Sequence, residues 1–568
     1  MRYPITPDYL ASVPDPLVKL YSDLEAKILE DICRRFNLSG EATESAIAQI
    51  KILRERGYSL EDIEKVIRDT LKLSEKELDE IFDRAVERNK QYYDRMIEKS
   101  DIVSAEYKGL DREIAAIRKQ THDEFVNLTQ SLGFAIRTGA KTEFLPIAKT
   151  YQKILDDAAA QVLSGGMDYN TAIKGAVKRL TDSGLMVEAN GEKWVTYASG
   201  WRNRVDVAAR RAVMTGVSQL SAQYAEQNAE ILRTDLREVT AHSGARDTGT
   251  GWQNHKSWQG KVYSVSGTHP KYPSIYDECG WGQVDGLEGA NCRHHHFPFI
   301  EGVSTRAYTD EQLANIDPPP FEYQGKTYTA YEATQKQRQL ETSMRKYKRD
   351  VIGYEAAGLK EDAQDAAIKL GRLSKEYKAF SKVAGLRTQP ERAQVQGFGN
   401  KEAVAASSEY KRIEKLANSM YDIGDTSKNV DAWLRDQPIR RSIGSNEYPL
   451  KLHNGRQNSH IAGTNEFKQY VDKLSKKGQF GPSRLTIDMA EIEDLVSRYH
   501  GTGILLMSDD GRWRGIERVT VYPYEIGIAV NNLTGAESST TTFTIRYSKD
   551  GYHIAPDYPS RKGEKAKK

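Results

Sequence analysis

PDPLVKLYSDLEAKILEDICRRF, residues 14–36, decides how the larger part of this chain folds. Asp15 can accept the orphan amide hydrogens of a first helical turn, and Pro16 has none to leave unpaired and a φ already set for helix. Leu17, Tyr21, Leu24, Ile28 and Ile32 then return at steps of three and four, which places them along one face of an amphipathic helix. The pattern recurs outward from there. Ser59 stands ahead of Leu60, Ile63 and Ile67, and Ser74 with Glu77 three residues on has the capping-box form, so helix follows helix up to Lys99. Further helical patterns cover 110–163, broken near 133–139 and at Pro146, and 205–232, behind a Gly-rich turn at 198–201.

Around Thr240 the texture changes to Gly, Trp, Tyr and His with short apolar runs, and a compact loop-rich module is expected up to about Pro320. From 331 to 386 charge density rises again, and the spacing predicts two antiparallel helices turning near Gly358. Residues 387–400 read as a linker, 408–434 as helix. From Glu447 the pattern is helix and then strand, with β-branched and aromatic residues concentrated at 518–530 and 541–547. A basic tail closes the chain. The expected division is 1–238 helical, 239–325 the Cys/His/Trp-rich module, 326–386 a charged helical hairpin, 387–446 linker and short helices, 447–559 an α+β domain of helices followed by an antiparallel sheet, and 560–568 the tail. The fold class is therefore multidomain, mainly α over the first two thirds with a small α+β module, and α+β at the end.

Composition agrees. At roughly 100 to 200 residues per domain, 568 residues make about three to five units. Lys+Arg 82 against Asp+Glu 80 gives a net charge of +2, so no global positive field draws in nucleic acid. No stretch reaches the ~18 to 20 apolar residues of a membrane span, and MRYPITPDYL lacks the form of a signal peptide, so neither insertion nor secretion is expected. Three cysteines, Cys33, Cys279 and Cys292, make no disulfide framework and suit a reducing interior.

His242, His255, His269, Cys279, Cys292, His294, His295 and His296 are crowded between positions 242 and 296. Zinc asks for four N or S donors, and Cys279, Cys292, His294 and His255 are the candidate ligands of a structural zinc. The spacing matches no standard finger. In the alternative reading the cysteines are small buried residues and the three consecutive histidines alternate along a strand, packing or hydrogen-bonding.

AHSGARDTGTGWQNHKSWQGKVYSVSG (241–267) and YPSIYDECGWGQVDGLEGANCRHHHFPFIEG (272–302) resemble the phage minor capsid proteins, a class that includes head morphogenesis proteins of phages of Gram-positive bacteria. SGGMDYNTAIKGAVKRL (164–180), ASGWRNRVDVAARRAVMTGVSQ (198–219) and the opening stretch share the likeness, which extends to about Val395. WQGKVYS and GANCRHHHFPF are its most specific strings. The resemblance implies a low-copy virion component near the portal, with portal and other capsid proteins as partners and phage DNA as a candidate one, assembled in the host cytoplasm.

The C-terminal domain carries a second constellation. KLHNGRQNSHIAGTNEF (451–467) places a His before a Gly and Thr, and TTFTIRYSKDGYHIAP (541–556) brings Arg546, Ser548, Lys549 and His553 together. Two imidazoles with cations form the inventory of a metal-independent ribonuclease. One group removes the 2′-hydroxyl proton, another protonates the departing 5′ oxygen, and positive charge supports the phosphate; no cofactor is required. These strings, with GPSRLT (481–486) and GTGILL (501–506) between them, resemble the polymorphic toxin type 50 domain, a predicted ribonuclease group related in fold to the barnase, EndoU, colicin E5 and RelE-like nucleases. Matched by motif, the resemblance implies His460 and His553 as acid and base, unassigned between them. Arg546 and Lys549 would sit on phosphate, Ser548 or Thr542 would donate a hydrogen bond, and Arg456 and Thr464 would contact substrate; His453 is a further candidate. Host RNA is the implied substrate, and an immunity protein a candidate partner.

Blander readings stand beside these. His460 could anchor a helix, His553 could lie on an exposed strand, and RYSKDGYH also reads as a hairpin with Asp550 and Gly551 at its turn. From 451 to 559, 13 Lys or Arg balance 13 Asp or Glu, so any RNA site must be local. Arg345, Lys346, Lys348 and Arg349 suggest a nucleic-acid-binding arm, yet LKEDAQD close behind suits the wet face of a helix pair. Arg210 and Arg211 are expected to pair between helices. The competing functional classes are a wholly structural virion protein with a non-catalytic last domain, and a free-standing toxin with a long carrier.

Overall fold

The computed structural model describes residues 4–37, 61–98, 109–138, 141–164, 167–187, 203–421, 425–445, 447–508 and 510–558. The expectations at Ser59 and Leu60, at Lys99, at the 198–201 turn and for the basic tail lie outside the described residues. The chain divides into two compact units, Met1–Glu409 and Tyr410–Lys568. No helix among the described residues is long and apolar enough to cross a membrane.

In the first unit the opening stretch forms the helix Asp15–Asn37, and Leu17, Tyr21, Leu24, Ile28 and Ile32 are all buried on its inward face. Helices Glu61–Glu98, Leu110–Gln130, Val205–Ile231 and Ala330–Ala356 close the same core. Gly216, on Val205–Ile231, lets Leu110–Gln130 approach, since a Cβ there would lie 2.5 Å from Thr121 Oγ1. A buried ionic network crosses the core. Glu25 receives Arg204 Nη2 at 2.9 Å, Arg349 Nη1 at 3.2 Å and the Leu185 amide at 2.7 Å, so three distant segments converge on one carboxylate.

Between the helices at 110–130 and 147–163 the chain forms an antiparallel hairpin, Leu132–Thr138 with Lys141–Pro146, where broken helix was expected. Phe134 and Ile136 are buried and Gly133 faces Leu145 too closely for any Cβ, so the governing period here is two, not 3.6. The charged segment is the expected helix pair, Ala330–Ala356 and Lys360–Val383, reversing at Gly358. Its basic run is not an exposed arm. Arg345 reaches Asp206 at 3.2 Å, Lys346 reaches Asp182 at 2.8 Å, Lys348 donates to the Ala393 carbonyl and Arg349 is buried on Glu25. Arg210 pairs with Asp15 of another helix, as expected. The supposed linker packs as well: Ala393, Val395 and Phe398 are buried, and the helices that follow, Asn400–Met420 and Thr426–Ser442, are long.

The 239–325 region is a three-stranded antiparallel sheet, Val262–Ser264, Leu236–Val239 and His296–Phe299 in that order, with short helices His255–Trp258 and Ile275–Cys279. In the second unit helices precede the main sheet, which runs Ile504–Met507, Trp513–Thr520, Thr542–Ser548, Gly551–Pro556, all antiparallel. Alternation gives this sheet two different faces. Phe543, Ile545, Tyr547, Tyr552, Ile554 and Val519 pack with Ile492, Leu495 and Val496 of helix Met489–Tyr499. Arg546, Thr544 and His553 point to the other face.

Candidate functional site

The site is built on the hairpin Thr542–Ser548 and Gly551–Pro556, where register places Arg546 directly opposite His553. Lys549 and Asp550 form the two-residue loop, one position earlier than the expected turn. Gly551 has φ +123°, and a Cβ on it would lie 2.1 Å from the Lys451 carbonyl oxygen, so the incoming segment can lie against this edge only because the residue is glycine. Lys451 and His453 then pair with both backbone groups of Tyr552 at 2.8 Å.

Gln457 continues this pairing with a side chain. Its Nε2 donates to the Ile554 carbonyl at 3.1 Å and its Oε1 accepts the Ile554 amide at 2.8 Å, all within the buried interior. The short helix Asn454–Asn458 is thereby fixed on the strand next to His553. His460 follows within a turn. Its Nδ1 donates to the Ser483 carbonyl at 2.9 Å, its own carbonyl accepts the Leu485 amide, and Tyr470 stands edge-on to its ring. The result is a stacked imidazole pair, His460 and His553, with centroids 6.1 Å apart and planes 14° from parallel.

This pair sits among cations. Burial lowers the His460 pKa, and Arg546 adds to that effect against the Ser483 hydrogen bond. His553 is pushed down to about 3, first by burial and then by the positive fields of His460, Arg546, Arg456 and His453. Its Nδ1 is buried with no hydrogen-bond partner among the described residues. Two neutral imidazoles beside guanidinium groups are complementary to an anion.

The other sequence candidates are distributed unevenly. Arg456 is exposed on the short helix, close enough to act on His553, and His453 caps that helix by accepting the Arg456 amide at 3.3 Å. Thr464 is the N-cap of helix Asn465–Ser475: its hydroxyl accepts the Phe467 amide and donates to the Asn458 carbonyl at 2.6 Å. The Ser548 hydroxyl closes the hairpin on the Gly551 carbonyl at 2.8 Å. Thr542 is fully buried against Thr520 at 2.9 Å and lies four residues along the strand from Arg546, about 14 Å at ~3.4 Å per residue. Lys549 is exposed in the loop. Sequence reasoning missed Gln457, Tyr470 and the Ser483 carbonyl, because a buried glutamine and a backbone oxygen carry no signal in a polar string.

In the first unit, one donor atom each from His255, Cys292 and His294 lies within 4.8 Å of the others, all three residues buried. Cys292 Sγ is 3.5 Å from His294 Nδ1. Cys279 does not join them. It shares an apolar cluster with Cys292, Val239, Trp258 and Ile275, is hydrogen-bonded to Tyr263, and burial raises its thiol pKa well above the usual value. The three consecutive histidines do not alternate in and out, since all are buried. His295 and His296 turn to Glu288 at 2.6 and 2.9 Å, and His296 also meets Glu226 at 2.9 Å. Burial opposes charge on His296, but the two carboxylates outweigh it and raise its pKa to about 9.

Residues 5–382 match the family model described as phage minor capsid protein 2. The chain belongs to that family. Residues 452–556 match the model described as bacterial toxin 50. Among curated proteins, one named structural protein from Lactococcus phage LL-H is 26% identical over 179 residues, covering 30% of this chain and 44% of the relative. Another structural protein, from Lactococcus phage mv4, is 35% identical over 92 residues, covering 16% of this chain and 63% of the relative. The chain thus spans about half the length of these relatives. No solved structure matches. The Cys/His group lies inside the minor capsid match, and the imidazole pair with both its clamps inside the toxin match, so the two families divide the chain's chemistry cleanly between them.

Proposed function

We propose that this protein is a minor structural component of a phage virion, set near the portal among other capsid proteins, whose C-terminal unit cleaves host RNA by metal-independent acid–base catalysis. The family match and the two phage structural relatives support the virion role. The observation that carries the nuclease reading is the stacked His460–His553 pair at 6.1 Å beside Arg546 and Arg456. A scissile phosphate seated there meets one imidazole on the 2′-hydroxyl side and the other on the 5′-oxygen side. Because His460 Nδ1 is tied to Ser483, its Nε2 is the atom left for proton transfer. The guanidinium groups take up charge on the phosphate. The same phosphate offsets the positive fields on His553, which brings its pKa up from about 3 toward the range in which it can serve as an acid. Assembly in the host cytoplasm and restraint by an immunity protein belong to this reading.

The competing reading is a wholly structural protein whose last unit binds without catalysis. It is favoured by the depressed pKa of His553, which leaves no charged imidazole until an anion arrives, and by the committed hydroxyls of Thr542, Ser548 and Thr464. Incubating the full chain with RNA in EDTA separates the two. The nuclease reading expects 2′,3′-cyclic phosphate ends, lost in His460→Ala and in His553→Ala. Intact RNA with the folded wild-type protein overturns it, as does cleavage that survives both substitutions. Sedimentation of intact particles tests the virion role: a toxin on a free carrier would not travel with capsids.

A further inference from the structure

His255, Cys292 and His294 offer three soft or borderline donors in a buried cluster, and the hydrogen bonds around them set which atoms are free. His255 Nε2 donates to the Asp285 carbonyl at 2.9 Å, and His294 Nε2 donates to Gln259 Oε1 at 3.1 Å. Each ring is left with its lone pair on Nδ1. This is the outer-shell pattern that fixes metal-ligating histidines, in which the second nitrogen is anchored to a carbonyl. The sulfur fits too. With metal–nitrogen bonds of about 2.0–2.1 Å and metal–sulfur of about 2.3 Å, two donors on one tetrahedral ion stand roughly 3.5 Å apart. Cys292 Sγ and His294 Nδ1 are 3.5 Å apart. A thiol hydrogen bond accounts for that one distance, but not for a second buried imidazole, His255, with a ring nitrogen within 4.8 Å of the other two donors.

The fourth ligand is the informative one. Cys279, the remaining cysteine of this region, is not among the three residues whose donor atoms converge. What lies beside the donors is a cavity of about 300 Å³, lined by His255 and His294 themselves, by His242, and by Arg210, Arg246, Arg293 and Arg338. No carboxylate lines it among the described residues. A divalent ion on one thiolate and two neutral imidazoles keeps a net charge of +1. Next to Arg246, Arg293 and Arg338, with Arg210 already paired to Asp15, that charge calls for an anion, not a further neutral ligand.

We propose that His255, Cys292 and His294 form an open, zinc-class metal centre whose fourth position faces the arginine-lined cavity and takes an anionic oxygen ligand of the phosphate class. Binding releases the Cys292 thiol proton to solvent and leaves the metal oxidation state unchanged. The centre differs from a closed structural zinc, which would need a fourth protein ligand, and it is independent of the RNA-cleaving site.

The test uses the full chain. Purified from zinc-supplemented medium without chelator, it should retain one zinc per chain by elemental analysis. Exchange to cobalt(II) should give the thiolate-to-cobalt charge-transfer band and the strong visible bands of four-coordination, and titration with inorganic phosphate should shift the visible bands. Cys292→Ser should lose the charge-transfer band, and Cys279→Ala should keep both band and metal. The wild-type cobalt spectrum needs no variant to fold. A chain that holds no metal and gives no charge-transfer band overturns the proposal, as does loss of the band in a folded Cys279→Ala protein. Visible bands indifferent to phosphate overturn the open, anion-facing position.

Discussion

Gln457 holds the candidate site together through two hydrogen bonds to one residue, so Gln457→Leu should open it selectively. Leucine keeps most of the packed volume while removing both partners of Ile554, whose amide and carbonyl are otherwise buried. Leaving a buried backbone group unpaired costs about 1–3 kcal/mol, and two such groups on one residue would sum to about 2–6. Because Gly551–Pro556 is an edge strand of its sheet, some water can reach the vacated groups, which favours about 2–4 kcal/mol. At about 1.4 kcal/mol per decade that is a roughly 30- to 900-fold larger population of the open state. Hydrogen exchange read on the peptide spanning 551–556 measures this directly, because the Ile554 amide is protected only by the Gln457 side-chain oxygen. Its exchange should accelerate by that factor while the amides of Trp513–Thr520 hold their rates. RNA cleavage should fall with it, since Asn454–Asn458 carries the loop of His460. Gln457→Glu retains the acceptor for the amide but sets a carboxylate against the Ile554 carbonyl, and should lie between the two. Unchanged Ile554 protection in a folded Gln457→Leu protein would refute the reasoning.

Three further outcomes are expected. Acid should weaken the C-terminal unit: His460 and His553 both have folded pKa values below the ordinary 6.5, so the unfolded chain binds more protons between pH ~6.5 and about 3, and stability, full above that window, falls through it. Urea midpoints against pH check this, and Arg546→Gln, by removing one positive field on His553, should narrow the loss. In the first unit, Glu25→Ala strands Arg349 in the core and leaves Arg204 to Asp206 alone, and should cost about 3–5 kcal/mol by chemical denaturation, with Glu25→Gln milder. Thr464→Ala should cost about 1 kcal/mol as a lost helix cap, seen as a lower melting temperature, while cleavage per folded molecule stays unchanged; a selective loss of cleavage would instead assign Thr464 to substrate.

Periodicity made the helices legible. The apolar steps of Asp15–Asn37 and the reversal at Gly358 follow directly from spacing, and each is found where spacing puts it. The hairpin at 132–146 was hidden because the glycines at 133 and 139 and Pro146 read as breaks in a helix, although Phe134 and Ile136 already alternate. The 387–400 segment looked like a linker because three apolar residues in fourteen seem too few to pack, yet all three are buried. At the candidate site the two histidines and Arg546 were visible as residue types in suggestive strings. Their arrangement depends on an edge strand lengthened by Lys451, His453 and Gln457, and long-range pairing of that kind leaves no local pattern.

The histidines show why residue type alone could not settle function here. His294 and His296 are two positions apart and equally buried, yet His294 is held well below its usual pKa, by burial and then by His242, His255 and Arg293, while two carboxylates raise His296 to about 9. One is neutral by environment and the other a buried cation, and the difference lies in Glu288 and Glu226, which the string CRHHH does not contain. His553 belongs with His294: neutral, buried and ringed by positive charge. His294 and His553 therefore share one electrostatic character, because after burial the groups that shift each of them are histidines and arginines. On the two proposals above, phosphate should protect both units against unfolding, and substitutions at Arg546 and at Arg293 should abolish that protection one unit at a time.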